Sequence, residues 1–150
     1  MPVQTKLFDR IAALLKVNLS DLLMEEADPQ EAVAHWRAEM ESGLADAKDA
    51  VAKAMAQERQ LEKELRAAQS SAADWDAQTD VALQAGDEDK ARAALKRKAA
   101  YERVAQELRA KLDHQRQVMA EMKASVKALE VKAQDLTGLT RPVRSGRKTS

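Results

Sequence analysis

The sequence contains no cysteine, which excludes a disulfide framework and a thiolate metal site. Aromatic side chains are nearly as scarce, since the 150 residues include one Phe, one Tyr and two Trp. The apolar content rests mainly on alanine, so the chain has too few large side chains for a compact globular core of this size. The expected core is therefore a narrow, alanine-rich seam between long helices.

The sequence also lacks long apolar runs. No window approaches the roughly 18 uninterrupted apolar residues that indicate a membrane span. The N-terminus has no continuous apolar centre followed by small residues, which a signal peptide would show. We therefore expect a cytoplasmic protein in which no segment spans a membrane.

Catalytic motifs are missing as well, since the sequence has no P-loop, no HExxH and no glycine-rich phosphate-binding loop. Its histidines, His35 and His114, lie far apart, and its many carboxylates fall on solvated helix faces beside Lys or Arg. Residues 96–98 form a basic cluster, but no basic leucine zipper, aromatic platform or helix-turn-helix spacing accompanies it. We expect no enzyme, no cofactor, no metal and no specific nucleic-acid partner.

The sequence does contain a repeat of apolar and small residues, spaced three and four positions apart, from Pro29 to Leu136. Heptad spacing sustained over this length predicts supercoiled helices. One interruption, at residues 83–87, divides the repeat into two arms of matching length. The apolar seam positions are Val33, Trp36, Met40, Leu44, Ala47, Val51, Ala54, Leu61, Leu65, Ala68, Ala72, Trp75 and Ala82, then Ala91, Ala94, Tyr101, Ala105, Leu108, Leu112, Met119, Met122, Val126, Leu129, Ala133 and Leu136; the polar ones are Glu58, Thr79, Lys98 and Gln115.

The interruption predicts a tight helical hairpin. Gly86 suits a left-handed C-cap of the first arm, and the side chain of Asp87 suits the N-cap of the second. With so few residues between them, the arms fold back as an antiparallel pair. Residues whose numbers sum to about 172 then face each other, which places Trp75 near Arg97.

The charges of the arms support this pairing. Residues 31–80 include 6 basic and 11 acidic side chains, and residues 87–135 include 12 basic and 9 acidic ones, so the balances are about −5 and +3. Opposite charges favour pairing between unlike arms, although each exposed pair contributes only about a few tenths of a kcal/mol.

The first 25 residues have a different pattern, which predicts one amphipathic helix from Val3 to Leu23. Two alternatives stay open for its apolar stripe: it docks on the hairpin or on its copy in another subunit, or it lies in the plane of a membrane interface. In the second case the basic residues of the opposite face meet anionic headgroups. The stripe comprises Phe8, Ile11, Leu15, Leu19 and Leu22, and the basic residues are Lys6, Arg10 and Lys16.

Short polar segments bound the hairpin. Asp28 is a suitable N-cap, with Pro29 at the first helical position of the first arm. Beyond Leu136, Gly138 and Pro142 predict the end of the second arm and a disordered basic tail. The expected organisation is all-α, with an amphipathic helix in residues 1–25, an antiparallel coiled-coil hairpin in 26–137 and the tail in 138–150.

Several of these residues together resemble one family. They are Phe8, Asn18 and Leu22-Leu23 in the first helix, Asp28-Pro29 at the start of the hairpin, Glu39-Met40, Trp75, and the tip sequence Gly86-Asp87-Glu88-Asp89 followed by Ala91-Arg92-Ala93-Ala94-Leu95. In this order and spacing the chain resembles the phage-shock-protein A and Vipp family of the ESCRT-III-like membrane-remodelling superfamily. The resemblance extends from about Leu7 to Leu136.

The resemblance implies a peripheral protein of the inner face of the cytoplasmic membrane. It would bind anionic or stressed membrane through the first helix and form homo-oligomers, and the hairpin, with tip residues Gly86, Asp87 and Arg92, would serve as scaffold and partner-binding surface. Family members usually continue with further helices, so the resemblance implies either a short relative, which acts alone or with longer relatives, or a shortened product. The alternative is a soluble coiled-coil regulator or adaptor, in which the first helix folds against the hairpin and the hairpin binds a protein partner such as an AAA+ transcription activator.

Overall fold

A computed structural model of the chain describes residues 2–25 and 27–140, and all four elements in these ranges are α-helices. They are α1 (Pro2–Leu15), α2 (Leu19–Glu25), α3 (Pro29–Gln84) and α4 (Glu88–Thr140). The predicted all-α class is confirmed, and α3 and α4, with 56 and 53 residues, pack against each other as a hairpin of matched arms.

Two compact units share the long helices. The base unit contains α1, α2, the part of α3 up to Ala52 and the part of α4 from Ala120 onward. The tip unit comprises Lys53–Met119 and contains the turn between the long helices.

The turn in the tip unit has the predicted glycine C-cap. Gly86 has a φ of 74°, in the left-handed region where a Cβ is unfavourable. Its N–H donates to the carbonyl of Leu83 at 3.1 Å, and the N–H of Asp87 donates to the carbonyl of Ala82 at 2.9 Å. These two bonds form a Schellman motif, which satisfies carbonyls at the end of α3. Asp87 then caps α4, because its Oδ1 accepts a hydrogen bond of 3.0 Å from the Lys90 N–H.

Contacts across the tip unit confirm the predicted register. The Arg97 guanidinium lies 5.1 Å from the centre of the Trp75 ring, in a cation–π arrangement. Nearby, Lys98 Nζ donates to Asp76 Oδ1 at 2.9 Å. The hydrogen bond to Asp76 and the charge of that carboxylate raise the pKa of the Lys98 ammonium.

The polar residues of the seam are all bonded. Thr79, which is 4% exposed, donates its hydroxyl to the carbonyl of Trp75 at 2.9 Å. Gln115 Nε2 donates to the carbonyl of Ala54 at 3.3 Å, and Glu58 accepts from Arg116 at 2.8 Å. Because buried polar groups are costly only when they lack a partner, these residues fit a seam that is otherwise apolar.

Seam positions predicted from heptad spacing are buried or half-buried throughout both long helices, with one exception. Tyr101 is 36% exposed. Its neighbours in the seam, Lys98 and Ala105, are half-buried and buried. Partial exposure suits Tyr101, because its ring is apolar and its hydroxyl is polar.

The predicted end of the second arm was wrong by a few residues. Helix α4 continues through Gly138 to Thr140, and the Thr137 hydroxyl donates to the carbonyl of Ala133 at 3.0 Å. A single glycine costs a helix about 1 kcal/mol, which does not end a helix already held by tertiary packing. The basic residues predicted for the tail, from Arg141 onward, lie outside the described ranges.

Candidate functional site

The N-terminal segment forms two helices, so the prediction of one continuous helix from Val3 to Leu23 was wrong. Helix α1 ends at Leu15 and α2 begins at Leu19. Asn18 causes the break, since its Oδ1 accepts a hydrogen bond of 3.2 Å from the Asp21 N–H and so acts as an N-cap.

A second N-cap separates these helices from α3. The Asp28 Oδ1 accepts a hydrogen bond of 3.2 Å from the Glu31 N–H, and Pro29 is the first helical residue, both as predicted. Helix α3 therefore has its own start signal and does not depend on α2 for capping.

In the base unit α1 packs into an apolar groove, which we call the docking groove. Ile11 and Leu14 of α1 are 1% and 3% exposed and belong to the same buried cluster as the groove. Phe8, Leu15 and other apolar residues of α1 and α2 are half-buried against this cluster. The docking groove consists of Val33, Met40, Gly43 and Ala47 of α3 and Leu129 and Leu136 of α4.

Gly43 allows α1 to approach α3 closely. A Cβ at this position would lie 3.3 Å from Leu14 Cδ1, 3.4 Å from Arg10 Nη2 and 3.5 Å from Leu129 Cδ2. The first distance is tighter than ordinary van der Waals contact, so any larger side chain would push against α1. Gly43 is the one glycine within the 56 residues of α3, and this packing explains its presence.

Two cations add polar contacts to the docked helix. Lys132 of α4 donates from Nζ to the carbonyl of Leu15 at 2.6 Å, at the C-terminal end of α1. A cation is favourable there because the carbonyls at the end of a helix carry partial negative charge. Arg10 pairs with Asp46 at 3.2 Å, but the two side chains are 40% and 58% exposed, so the pair contributes little.

The structure brings the predicted stripe residues together on one side of the N-terminal helices. Ile11 is fully buried in the docking groove, and the other four, Phe8, Leu15, Leu19 and Leu22, are half-buried against it. Of the predicted basic residues, Lys6 and Lys16 are exposed and Arg10 is half-buried. The docked arrangement is therefore the one that the structure contains, and the apolar residues predicted to insert into a membrane are the ones that pack against the groove.

Sequence reasoning assigned no structural role to three residues that organise this site, namely Gly43, Lys132 and Asn18, although Asn18 is among the residues that carry the family resemblance. The lone glycine in a long helix was a usable signal for a close approach. Asn18, with Asp21 three residues later, was a usable signal for a helix start. No sequence signal singles out Lys132, because its contact joins residues that are 117 positions apart.

The predicted tip residues are spread over the turn. Gly86 and Asp87 form the caps already described, and Arg92 pairs with Asp89 at 2.9 Å within the same helix. The side chains of this pair are 67% and 95% exposed, so it is a local surface interaction. The apolar side chain of Leu83, at the end of α3, is 58% exposed.

None of the described helices is both long enough and apolar enough to cross a membrane. Within residues 2–25 and 27–140, no three His, Asp or Glu side chains converge as metal ligands would. The N-terminal helices in their groove are therefore the most distinctive feature of the part of the chain that the structure describes.

Comparisons with known proteins agree with the resemblance noted in the sequence. The chain is 33% identical over 130 residues to the membrane-associated protein VIPP1, chloroplastic, of Oryza sativa subsp. japonica, an alignment that covers 87% of this chain and 41% of that protein. It is 36% identical over 126 residues to the membrane-associated protein Vipp1 of Nostoc punctiforme, covering 84% and 49%. It is 31% identical over 144 residues to the phage shock protein A homolog of Deinococcus radiodurans, covering 96% and 65%.

The chain thus spans 41% to 65% of the length of these three relatives. Residues 6–140 match the family model described as the PspA/IM30 family. This match includes α1 from Lys6 onward, α2, both long helices and the turn between them. The chain therefore belongs to the PspA/IM30 family.

Proposed function

We propose that the protein is a peripheral membrane-binding scaffold, in which α1 and α2 attach to an anionic lipid surface and the α3–α4 hairpin supports assembly. The observation that carries the proposal is the amphipathic segment itself. It places five large apolar side chains on one side and leaves Lys6 and Lys16 exposed, and the hairpin that follows it starts at its own N-cap, Asp28. Relatives in rice and Nostoc punctiforme are named membrane-associated proteins, which supports the same conclusion.

The energies fit reversible attachment. Burying each stripe side chain in the acyl boundary contributes about 1.5 to 3 kcal/mol before ordering costs. Each nearby Lys or Arg adds about 1 kcal/mol on an anionic surface. Because the stripe already packs against the docking groove, with Ile11 buried and the other four side chains half-buried, only the difference between the two environments is available for binding. The exposed lysines then make the attachment selective for anionic lipid.

The hairpin supplies the scaffold part of the proposal. Its seam is closed within the chain, but the tip unit leaves Val81, Leu83 and Val104 exposed by 62%, 58% and 43%. Single exposed apolar side chains are common on monomeric proteins, so these three do not by themselves indicate an interface. We include homo-oligomerisation on the membrane, alone or with longer relatives, in the proposal because the family resemblance implies it. One relative is named a phage shock protein A homolog, which supports a role under stress. The proposal places this role, maintenance of the membrane, at the inner face of the cytoplasmic membrane.

Vesicle co-sedimentation tests the proposal. The intact chain should sediment with anionic vesicles and more weakly with neutral ones. The double variant Lys6→Gln/Lys16→Gln should lose about 2 kcal/mol, or about 30-fold, in affinity for anionic vesicles. Both lysines are exposed, so the variant leaves the packing of α1 unchanged. The matched control, Lys63→Gln/Lys96→Gln, removes the same charge from exposed positions on α3 and α4 and should change affinity by less than about threefold.

A second function is favoured by a specific observation, namely that α1 is packed against the hairpin. A soluble coiled-coil adaptor, whose hairpin binds a protein such as an AAA+ transcription activator, was the alternative that predicted this packing. It also predicts that vesicles of either charge leave the intact chain in the supernatant. That result would refute the membrane scaffold and make the adaptor the better account.

A further inference from the structure

The same apolar face would bind both the docking groove and the lipid surface. The stripe residues assigned to the lipid surface above are the residues that pack against the docking groove, where Ile11 retains 1% of its exposure. A side chain cannot lie in the groove and in a bilayer at the same time. Binding to lipid through this face therefore requires α1 to leave the groove, and occupation of the groove withholds the face from lipid.

The docked helix is held by a small number of polar contacts. Lys132 bonds the last carbonyl of α1 at 2.6 Å, and this charge-assisted contact is partly buried. The Arg10–Asp46 pair is exposed and therefore screened by salt. Arg10 Nε is buried and has no hydrogen-bond partner among the described residues, which is a cost of the docked state.

The N-caps of α2 and α3 also favour release of the N-terminal helices as a unit. Asp28 caps α3 with its own side chain, so the long helix keeps its first turn when α1 and α2 move away. Asn18 likewise caps α2 from within the segment. Each element therefore retains its helix-start hydrogen bond in both positions.

We infer that the docking groove is an intramolecular binding site for α1 and α2 that competes with lipid, and that Lys132 is the latch that sets the balance. This inference rests on the proposed function. While most molecules are docked, the apparent affinity for vesicles equals the intrinsic affinity multiplied by the small undocked fraction. Any change that weakens docking, without touching the stripe, raises vesicle binding by the same factor.

Lys132→Met tests the latch, because it keeps the aliphatic length and removes the ammonium group. We expect docking to weaken about tenfold, which corresponds to about 1.4 kcal/mol, and affinity for anionic vesicles to rise about tenfold. Simple electrostatics predicts the opposite sign, since the variant loses one positive charge. Lys127→Met is the matched control, because Lys127 is an exposed lysine of the same helix. This control should leave the affinity for anionic vesicles unchanged or reduce it slightly.

Gly43→Gln tests the groove by a second route. The added side chain meets Leu14 and Arg10 and should push α1 out, while glutamine is a good helix former whose side chain ends in a polar amide. Gly138→Gln is its control, since a Cβ at Gly138 has nothing within 4 Å. The hydrogen-exchange rate of the α1 amides, measured without lipid in all four variants and in the intact chain, reports directly how strongly α1 is docked.

The two measurements separate the possible failures. Faster α1 exchange together with tighter vesicle binding, in Lys132→Met and Gly43→Gln but in neither control, is the expected result. A second outcome is faster α1 exchange with unchanged or weaker vesicle binding, while the intact chain still binds anionic vesicles. This result overturns the competition between groove and lipid but does not contradict the proposed membrane scaffold. Unchanged α1 exchange in both variants overturns the latch and the docking role of Gly43. If no variant binds vesicles even when α1 exchanges freely, the proposed function fails and the competition fails with it.

Discussion

Leu14 offers the sharpest test of how α1 is held in the docking groove. Its side chain is 3% exposed, and its Cδ1 occupies the space left by Gly43. Leu14→Ala removes three buried carbon groups, worth about 0.8 kcal/mol each, and α1 can move away rather than leave a cavity. We therefore expect docking to weaken by about 2 to 3 kcal/mol, while α3 and α4 remain paired.

Hydrogen exchange measures this loss without lipid. Amides of α1 should exchange about 30- to 150-fold faster in Leu14→Ala than in the unaltered chain, and amides of the tip unit should be unaffected. Leu83→Ala makes the same chemical change at a side chain that is 58% exposed, so it should change no amide exchange rate by more than about threefold. Equal effects of the two substitutions, or an α1 that exchanges at its original rate, would refute the packing account.

Two further predictions concern the hairpin. Gly86→Ala should destabilise the fold by about 1 to 2 kcal/mol, because Gly86 has a positive φ. Gly138→Ala lies in an open helical position and should stabilise α4 by up to about 1 kcal/mol, and urea unfolding of both variants checks these opposite signs. Asp76 raises the pKa of Lys98 above its ordinary value of 10.5, so the pair stabilises the fold below that pH and the contribution is lost as pH rises through the raised value. Asp76→Asn should therefore be less stable than the unaltered chain at about pH 8 and converge with it at high pH, and a difference that grows in alkali would contradict the assignment.

The sequence predicted the hairpin well because its determinants are local or periodic. Heptad spacing placed the seam, and the turn chemistry of Gly86 and Asp87 placed the two helix ends. The register followed from a short turn between arms of equal length, which brought Trp75 to Arg97. These signals lie within a few residues of the features that they determine, so no knowledge of distant contacts was needed.

The N-terminal segment was harder to predict because its structure depends on distant residues. An apolar stripe has the same pattern whether it meets a protein groove or a lipid surface, so periodicity left the two alternatives open. The choice observed here depends on Gly43 and Lys132, which are far from α1 in sequence. The break at Asn18 was missed because the stripe continues through it, although asparagine is a strong N-cap.

The absence of cysteine permits the most direct test of the membrane scaffold, since one introduced cysteine labels the chain at a single position. Phe8→Cys carries an environment-sensitive fluorophore on the stripe, and Lys63→Cys carries it on an exposed position of α3 as the control. With anionic vesicles whose acyl chains are brominated, the account predicts strong quenching of the label at residue 8 and none at residue 63. A protein that sediments with these vesicles while its residue 8 label stays unquenched would contradict the claim that α1 enters the membrane.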